Sequence, residues 1–187
     1  MQATSRLSPA VLAARDHLAT GREKLKKQHD SGSLGIQVCA ALTNLLDIVV
    51  LELYHAALAE TGVDATAFEE RVALIPYGGY GRRDTAPFSD VDLMLLHAPG
   101  TDQDNLPVVR RFTQHIYDVG LKLGFSPRTP ADALASATTD VTIFTSLAES
   151  RLLAGNLAMF EKFQAQFLRL AKRRAGPLIA ADRKSVV

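Results

Sequence analysis

Two short apolar runs near the middle of the chain constrain its fold more than any other feature. They read RVALIPYGG, residues 71–79, and SDVDLMLLHAPG, residues 89–100, and each ends in glycine. Apolar runs of four to eight residues bounded by turn residues are typical of buried strands. On both sides of them, apolar residues recur at helical spacing. The sequence therefore predicts a small sheet inside a largely helical chain.

Helical patterning covers the chain before and after the predicted strands. Ser8 is suited to be an N-cap and Pro9 to be the first helical residue, where the missing N–H costs nothing. A longer helix, apolar on more than one face, is predicted over about Ile36 to Glu60, and residues 61–70 are predicted to be a connector. The next helix is predicted over about residues 106–123, followed by a third strand at 123–129. Another helix is predicted to begin after a Thr129 cap. Two final helices are predicted over about 141–153 and 157–174, separated by Gly155.

This order of elements predicts an α/β fold of the α+β kind. The chain of 187 residues is long enough for one full core plus an extension. We expect a helical N-terminal extension over residues 1–65 and a small α/β core over residues 66–187 that ends in helices.

Composition and charge narrow the classes of function. Hydrophobic residues make up 47% and charged residues 22%, as in ordinary globular proteins, and the formal net charge of +1 makes a nucleic-acid partner unlikely. Cys39 is the single cysteine and no signal region opens the chain. The longest apolar stretch, residues 45–58, is predicted to be too short and too charged to span a membrane. The expected location is cytoplasmic.

Two aspartates stand at the head of the second apolar run. Side chains alternate along a strand, so Asp90 and Asp92 are predicted to share one face while Val91 and Leu93 turn toward the core. Two adjacent carboxylates repel each other unless positive charge lies between them. Mg²⁺ takes hard oxygen ligands from one or two carboxylates and completes its shell with water and phosphates. Asp90 and Asp92 are therefore the candidate metal ligands.

A glycine-rich turn and two arginines precede the aspartates. Gly78, Gly79 and Gly81 allow backbone N–H groups to approach an anion closely, and Arg82 and Arg83 add positive charge for a polyphosphate. A Rossmann fingerprint would need a glycine where Asp84 stands, and a Walker loop would need the sequence G-K-[ST], which is absent. A tight turn without a ligand and a solvated strand entrance remain the structural alternatives for the glycines and the aspartates.

The spacing of these residues resembles the signature of the DNA polymerase β nucleotidyltransferase superfamily: a hydrophobic residue, two small residues, about ten residues, then Asp-h-Asp-h. Here it reads Tyr77-Gly78-Gly79 and Asp90-Val91-Asp92-Leu93. The fuller string GGYGRRDTAPFSDVDLMLL is similar to the N-terminal nucleotidyltransferase domain of the PII-protein uridylyltransferase/uridylyl-removing enzyme family. Residues 120–129 and 140–156 also resemble that family, and the resemblance covers roughly residues 35–180.

The resemblance implies a mixed-sheet nucleotidyltransferase core and a Mg²⁺-dependent reaction. A hydroxyl, on a tyrosine of a PII-like signalling protein in nitrogen regulation, would attack the α-phosphate of a nucleoside triphosphate and release pyrophosphate, with UMP the favoured group. The implied catalytic and metal-binding residues are Asp90 and Asp92. The residues assigned to nucleotide binding are Gly78, Gly79, Gly81, Arg82, Arg83 and Ser89.

The sequence also departs from the family pattern. The family's GRGE is GRRD here, and the third carboxylate that often comes from a later strand is absent from residues 123–129. By family position, Asp140 is the nearest candidate for a third catalytic carboxylate. Transfer of AMP to a protein or small molecule, and a non-catalytic nucleotide-binding module, are therefore the alternative hypotheses.

Other features are predicted to be structural. Glu149 and Arg151 are interpreted as an exposed pair on a helix, Arg128 as a surface residue before a helix cap, and Cys39 as a small buried hydrophobe. The basic cluster at residues 169–176 is typical of a helix C-terminus. An HD-type phosphohydrolase domain and ligand-sensing domains do not fit within the chain, so uridylyl-removing activity is expected to be missing.

Overall fold

The structure is a computed structural model that describes the backbone of residues 7–184 and the side chains of residues 7–173. Eight helices and four strands are present in this part of the chain. In chain order they are α1 (Pro9–Asp30), α2 (Gly35–Thr61), α3 (Ala65–Glu69), β1 (Val72–Pro76), α4 (Gly78–Arg82), β2 (Val91–His97), α5 (Asp102–Asp118), β3 (Leu123–Arg128), α6 (Pro130–Thr139), α7 (Val141–Ala148), β4 (Ala154–Gly155) and α8 (Leu157–Lys184).

The four strands form one mixed sheet in the order β3-β2-β1-β4. Strand β1 pairs antiparallel with β2 and with β4, whereas β2 pairs parallel with β3. The antiparallel pairing brings the end of β1 beside the start of β2, with Pro76 opposite Leu93. The predicted α/β class is confirmed, and the sheet is mixed, as the family resemblance implies.

Helices cover both faces of the sheet, so its central strands are buried on two sides. Val91, Leu93 and Leu95 of β2 pack with residues of α1, α2 and α5 in one hydrophobic cluster. Met94 and Leu96, which alternate with them, pack in a second cluster with α6, α7 and α8. Asp92 shares the periodicity of Met94 and therefore begins the face that α6 to α8 cover.

Helix α1 begins at its predicted start signal. The Ser8 hydroxyl accepts a hydrogen bond from the Val11 N–H, and Pro9 is the first residue of α1, as predicted. Helices α1 and α2 share a hydrophobic cluster with β1 and β2, so the hydrophobic core is continuous across residue 65. The boundary between an extension and a core at that residue stays a prediction.

Helix α2 is longer than the apolar stretch of residues 45–58. It spans 27 residues, with a mean hydropathy of 1.8 in its most apolar window, which is long and apolar enough to cross a membrane by length and composition. The expectation that this region is too short to do so is wrong. Leu46, Val49, Val50 and Leu53 are nevertheless buried against the rest of the protein, as in the core helix of a globular fold. A cytoplasmic location stays a prediction.

Two short elements differ from the predicted pattern. The predicted connector contains α3, which the Asp64 carboxylate caps by accepting a hydrogen bond from the Ala67 N–H. Helix α7 ends at Ala148, and the following residues run along β1 as the edge strand β4. Gly155 has φ of +90°, and a Cβ there would overlap the Val72 carbonyl oxygen, so the glycine permits a close strand approach and is not only a helix break.

Candidate active site

The glycine turn and the aspartates meet at one edge of the sheet. Strand β1 ends at Pro76, α4 begins at Gly78, and the Tyr77 N–H donates a hydrogen bond of 3.2 Å to the Asp92 carbonyl oxygen. Gly78 has φ of +58°, a left-handed conformation that favours glycine. The sharp turn therefore lies directly beside the start of β2.

A cavity of about 570 Å³ opens at this edge. Five of the residues proposed from sequence line it: Gly79, Arg82, Ser89, Asp90 and Asp92. Tyr80, Asp84, Thr85 and Phe88 complete its wall. The sequence motif thus forms one concave site of a size that suits a small-molecule ligand.

Asp92 is held between two glycines. A Cβ at Gly78 would lie 3.6 Å from Asp92 Oδ2, and a Cβ at Gly124 would overlap Asp92 Oδ1. Gly124 lies opposite Asp92 in the parallel register of β2 and β3. Burial, and secondarily the charge of Asp90, raises the pKa of the Asp92 carboxyl. Asp90 itself is exposed and lies one residue before β2.

The two carboxylates have the chemistry of a cation site. Neither makes an ion pair within the described residues, and burial together with the charge of Asp90 raises the pKa of Asp92. Hard carboxylate oxygens next to a solvent-open cavity suit Mg²⁺, which keeps waters and substrate phosphates as its other ligands. In the part of the chain that the structure describes, no group of three or more His, Cys, Asp or Glu could hold a metal ion. Asp90 and Asp92 would therefore supply two ligands only.

The raised pKa of Asp92 leads to a pH-dependent prediction. A carboxyl whose pKa is higher in the folded than in the unfolded protein favours folding while it is protonated, and this contribution is lost as pH rises through the folded pKa. Without metal, the Asp92→Asn variant is therefore expected to melt at a higher temperature than the native protein at pH 7. The difference should shrink as the pH falls toward about 4, near the ordinary pKa of aspartate.

Thermal melts in chelator between pH 4 and pH 8 measure this difference. The exposed Asp16 of α1 provides the matched control, because Asp16→Asn removes a carboxylate without removing a buried charge. Equal melting temperatures of the native protein and Asp92→Asn across the whole range would contradict the electrostatic account.

Arg82 lies at the mouth of the cavity and is paired with Asp84. The Arg82 Nε donates to Asp84 Oδ2 at 3.0 Å, and both side chains are about half exposed. Asp84 stands where the family pattern GRGE has glutamate, and it keeps the guanidinium of Arg82 beside the glycine turn. An anion that enters the cavity would meet this guanidinium, whose other N–H groups can still donate.

Arg83 is placed differently from Arg82. Its backbone adopts φ of +68°, and it ends α4. Its guanidinium donates a hydrogen bond to the Asn44 side chain of α2, and Arg83 is not among the residues that line the cavity. A nucleotide-binding role for Arg83 stays a prediction, and the contact with α2 gives it a structural role.

A close backbone contact explains why residue 81 is a glycine. A Cβ at this position would overlap the Glu149 carbonyl oxygen and would lie 3.1 Å from the Pro76 carbonyl oxygen. Both neighbours are main-chain atoms, so they cannot rotate away. The glycine lets α4 pack against the end of α7 whether or not a nucleotide is bound, and its assignment to nucleotide binding stays a prediction.

Replacement of Gly81 by alanine is expected to destabilise the fold by about 1–3 kcal/mol, because overpacking forces backbone shifts. Urea denaturation followed by circular dichroism measures the loss. Gly35→Ala is the matched control, since nothing lies within 4 Å of a Cβ at the exposed start of α2. Equal midpoints for Gly81→Ala and Gly35→Ala would show that the contact with Glu149 is not tight.

Asp140 caps a helix. Its carboxylate accepts hydrogen bonds from the Thr142 N–H at 2.7 Å and the Ile143 N–H at 3.1 Å, and it is the N-cap of α7. It is not one of the described residues that line the cavity. A catalytic role for Asp140 therefore stays a prediction, and the cap accounts for an aspartate at this position.

Arg151 was the least expected member of this region. The interpretation of Glu149 and Arg151 as an exposed helical pair is wrong, because α7 ends at Ala148. The Arg151 N–H donates to the Pro76 carbonyl oxygen, and its guanidinium pairs with Asp47 of α2 at 2.6 Å. No local sequence pattern indicates that Arg151 pairs with Asp47, because the two residues are 104 positions apart in the chain.

Three smaller predictions also meet the structure. Arg128 is half-buried and donates to the Ser136 hydroxyl of α6, so it is not a free surface residue. Cys39 is partly exposed and not fully buried. Residues 169–176 lie inside α8, which continues to Lys184, so the prediction that this cluster marks a helix C-terminus is wrong. The side chains of residues 174–176 lie outside the described residues.

Comparison with known proteins identifies several relatives that share one name. The chain is 38% identical over 164 residues to the bifunctional uridylyltransferase/uridylyl-removing enzyme of Cupriavidus pinatubonensis, a match that covers 85% of this chain and 18% of that protein. The enzymes of the same name from Aromatoleum aromaticum and Burkholderia orbicola are 36% and 31% identical, over 82% and 94% of this chain and 17% and 19% of theirs. The chain thus spans less than one fifth of the length of these relatives.

Other comparisons add little. No family model matches the chain. One solved structure, described as the crystal structure of a toxin-antitoxin with AMP-PNP, aligns with 72% of this chain and 97% of its own at a TM-score of 0.41 and 12% identity. A likeness at this level does not establish a shared activity.

Proposed function

Because this chain is homologous to a segment of the bifunctional uridylyltransferase/uridylyl-removing enzymes, we propose that it transfers a nucleoside monophosphate from a nucleoside triphosphate to a hydroxyl group on a protein. The favoured group is UMP, and the favoured acceptor is a PII-like signalling protein. The observation that carries the proposal is that the same cavity is lined by Gly79, Arg82, Asp90 and Asp92.

The residues of the cavity divide the work of such a transfer. Asp90 and Asp92 would hold Mg²⁺, which when bound neutralises phosphate charge and stabilises the attacking and leaving oxygens. The glycines of the turn carry no Cβ, so phosphate oxygens can approach its backbone closely. Arg82 offers a guanidinium at the mouth. The main contribution of the chain is therefore the positioning of a polyphosphate against an acceptor hydroxyl.

Phe88 supports a nucleotide as the ligand over a simple phosphate. It is 91% exposed and lies on the cavity wall beside Ser89 and Asp90. An exposed aromatic ring at the rim of a polar cavity can stack on a base, and this contact tolerates any base because every base has a π-face. The preference for uracil rests on the name of the relatives.

The relatives carry a second activity in their name, the removal of uridylyl groups. The proposal is confined to the transfer reaction, because the chain matches less than one fifth of those proteins.

Calorimetric titration with UTP and with ATP, each with Mg²⁺ and with chelator, tests the proposal. We expect Mg²⁺-dependent binding that is tighter for UTP and that is lost in Asp92→Asn. Transfer of radiolabel from the α-phosphate of UTP to a purified PII-like protein then tests the acceptor. Label transferred only from ATP would replace uridylyl by adenylyl transfer. Binding without any transfer would favour a non-catalytic nucleotide-binding module, and binding indifferent to Mg²⁺ and to Asp92 would overturn the proposed site.

A further inference from the structure

Helix α4 carries the glycine backbone of the cavity but is only five residues long. A helix of this length is not stable alone, because the cost of nucleating the first turn is recovered only over many residues. Its position must therefore come from contacts with other elements. Tyr80, at the centre of α4, is 1% exposed and is one of the largest fully buried side chains of the described residues.

Arg151 holds Tyr80 in two ways. The guanidinium carbon lies 5.2 Å from the centre of the Tyr80 ring, within the range of a cation–π interaction. Its Nη2 also lies 3.4 Å from the Tyr80 carbonyl oxygen as a donor. Because the Arg151 N–H binds the Pro76 carbonyl oxygen, the same residue contacts both the end of β1 and the middle of α4.

Arg151 is oriented in turn by Asp47. Their side chains form an ion pair of 2.6 Å and are only 21% and 16% exposed, so water screens the pair less than it screens a surface pair. The planar guanidinium can stack its face on the Tyr80 ring while the N–H groups at its edges donate to the Asp47 carboxylate and the Tyr80 carbonyl oxygen. The ammonium of lysine is a point charge and cannot make both kinds of contact.

Besides the Asp47 pair, helix α2 makes two further contacts with the residues that follow α4. The hydroxyls of Thr43 and Thr85 share a hydrogen bond of 3.2 Å, and Thr85 lines the cavity. The Asn44 side chain accepts a hydrogen bond from Arg83. Thr43, Asn44 and Asp47 lie within about one helical turn and so share one side of α2. This helix is therefore a support for the candidate site, although it lies far from the site in sequence.

We propose that Arg151, oriented by Asp47, is a positioning residue that holds α4 in place for nucleotide binding. This inference rests on the proposed function for its kinetic consequence. It assigns Arg151 no contact with the substrate. Loss of the guanidinium should let α4 shift, and misplacement of binding groups by about 1 Å can cost about a hundredfold in rate.

Arg151→Lys and Asp47→Asn, singly and combined, test the assignment. We expect kcat/KM for UTP to fall by about ten- to a hundredfold in each single variant, mainly through KM. The double variant should lose little more than Arg151→Lys, because Asp47 acts through Arg151. Arg111→Lys is the matched control, since Arg111 also forms an ion pair with α2, at Glu60, away from the cavity.

Amide hydrogen exchange gives a readout that does not need nucleotide. Exchange in residues 77–84 should rise in Arg151→Lys and stay unchanged in Arg111→Lys. Unchanged exchange in these residues, or unchanged KM with only a lower melting temperature, would overturn the positioning role. If the native protein binds no nucleotide while α4 still loosens in Arg151→Lys, the proposed function fails and Arg151 is left with a structural role only.

Discussion

Asp92→Asn should reduce nucleotidyl transfer by about a thousandfold or more while the protein stays folded. Asparagine has nearly the same shape as aspartate, so the packing between Gly78 and Gly124 is kept. The change removes one of two carboxylates from the candidate cation site, and metal-ion stabilisation of transition-state charge is worth several kcal/mol. Since each 1.36 kcal/mol is a factor of about ten in rate, a loss of about 10³-fold follows. Single-turnover transfer of radiolabelled UMP measures it.

Two aspartate variants make this loss interpretable. Asp16→Asn alters an exposed carboxylate of α1 and should transfer at the native rate. Asp140→Asn removes the charge of Asp140 but keeps a good N-cap, because asparagine caps helices about as well as aspartate. This variant therefore tests a catalytic role of the Asp140 carboxylate without unfolding α7. A rate in Asp140→Asn as low as in Asp92→Asn would assign Asp140 the third catalytic carboxylate. A native rate in Asp92→Asn would remove Asp92 from catalysis.

The parts of the fold that follow from local pattern are predictable from the sequence. Strands β1 and β2 are short apolar runs bounded by turn residues, and α1 begins with a serine cap and a proline. The spacing between the glycines and the aspartates likewise predicts one site. In the structure, the antiparallel pairing of β1 with β2 brings the end of one strand beside the start of the next. Pattern of this kind needs no knowledge of distant contacts.

The parts that depend on distant contacts are not predictable in this way. Arg151 is a surface residue by local pattern, and only its pairing with Asp47, 104 residues away, makes it a support of α4. Gly81 resembles a phosphate-loop glycine, whereas the close neighbour is the Glu149 carbonyl oxygen. Arg83 resembles Arg82 in sequence but contacts α2. In each case tertiary packing adds a structural contact that the residue type and its neighbours in sequence do not reveal.

Gly124 shows how the sheet register bears on a third carboxylate from β3, a strand whose sequence contains no acidic residue. Strand β3 places this residue directly opposite Asp92, the β3 position nearest to the candidate cation site. A Cβ there would overlap Asp92 Oδ1. The strand therefore leaves room for the carboxylate of Asp92 at the place where an additional side chain would crowd it.

Gly124→Ala should consequently lower kcat/KM by about a hundredfold without unfolding the protein. The added methyl group meets the end of a side chain, which can rotate, so the fold is spared, and alanine in a strand even gains about 0.5–1 kcal/mol over glycine. The rotated carboxylate is displaced from its site, and small displacements of catalytic groups can cost about 10²-fold. The Mg²⁺ concentration needed for half-maximal transfer should rise with it. Gly35→Ala, at an open position, should change neither quantity. Native kinetics in Gly124→Ala would mean that the orientation of Asp92 set by this glycine is irrelevant to transfer.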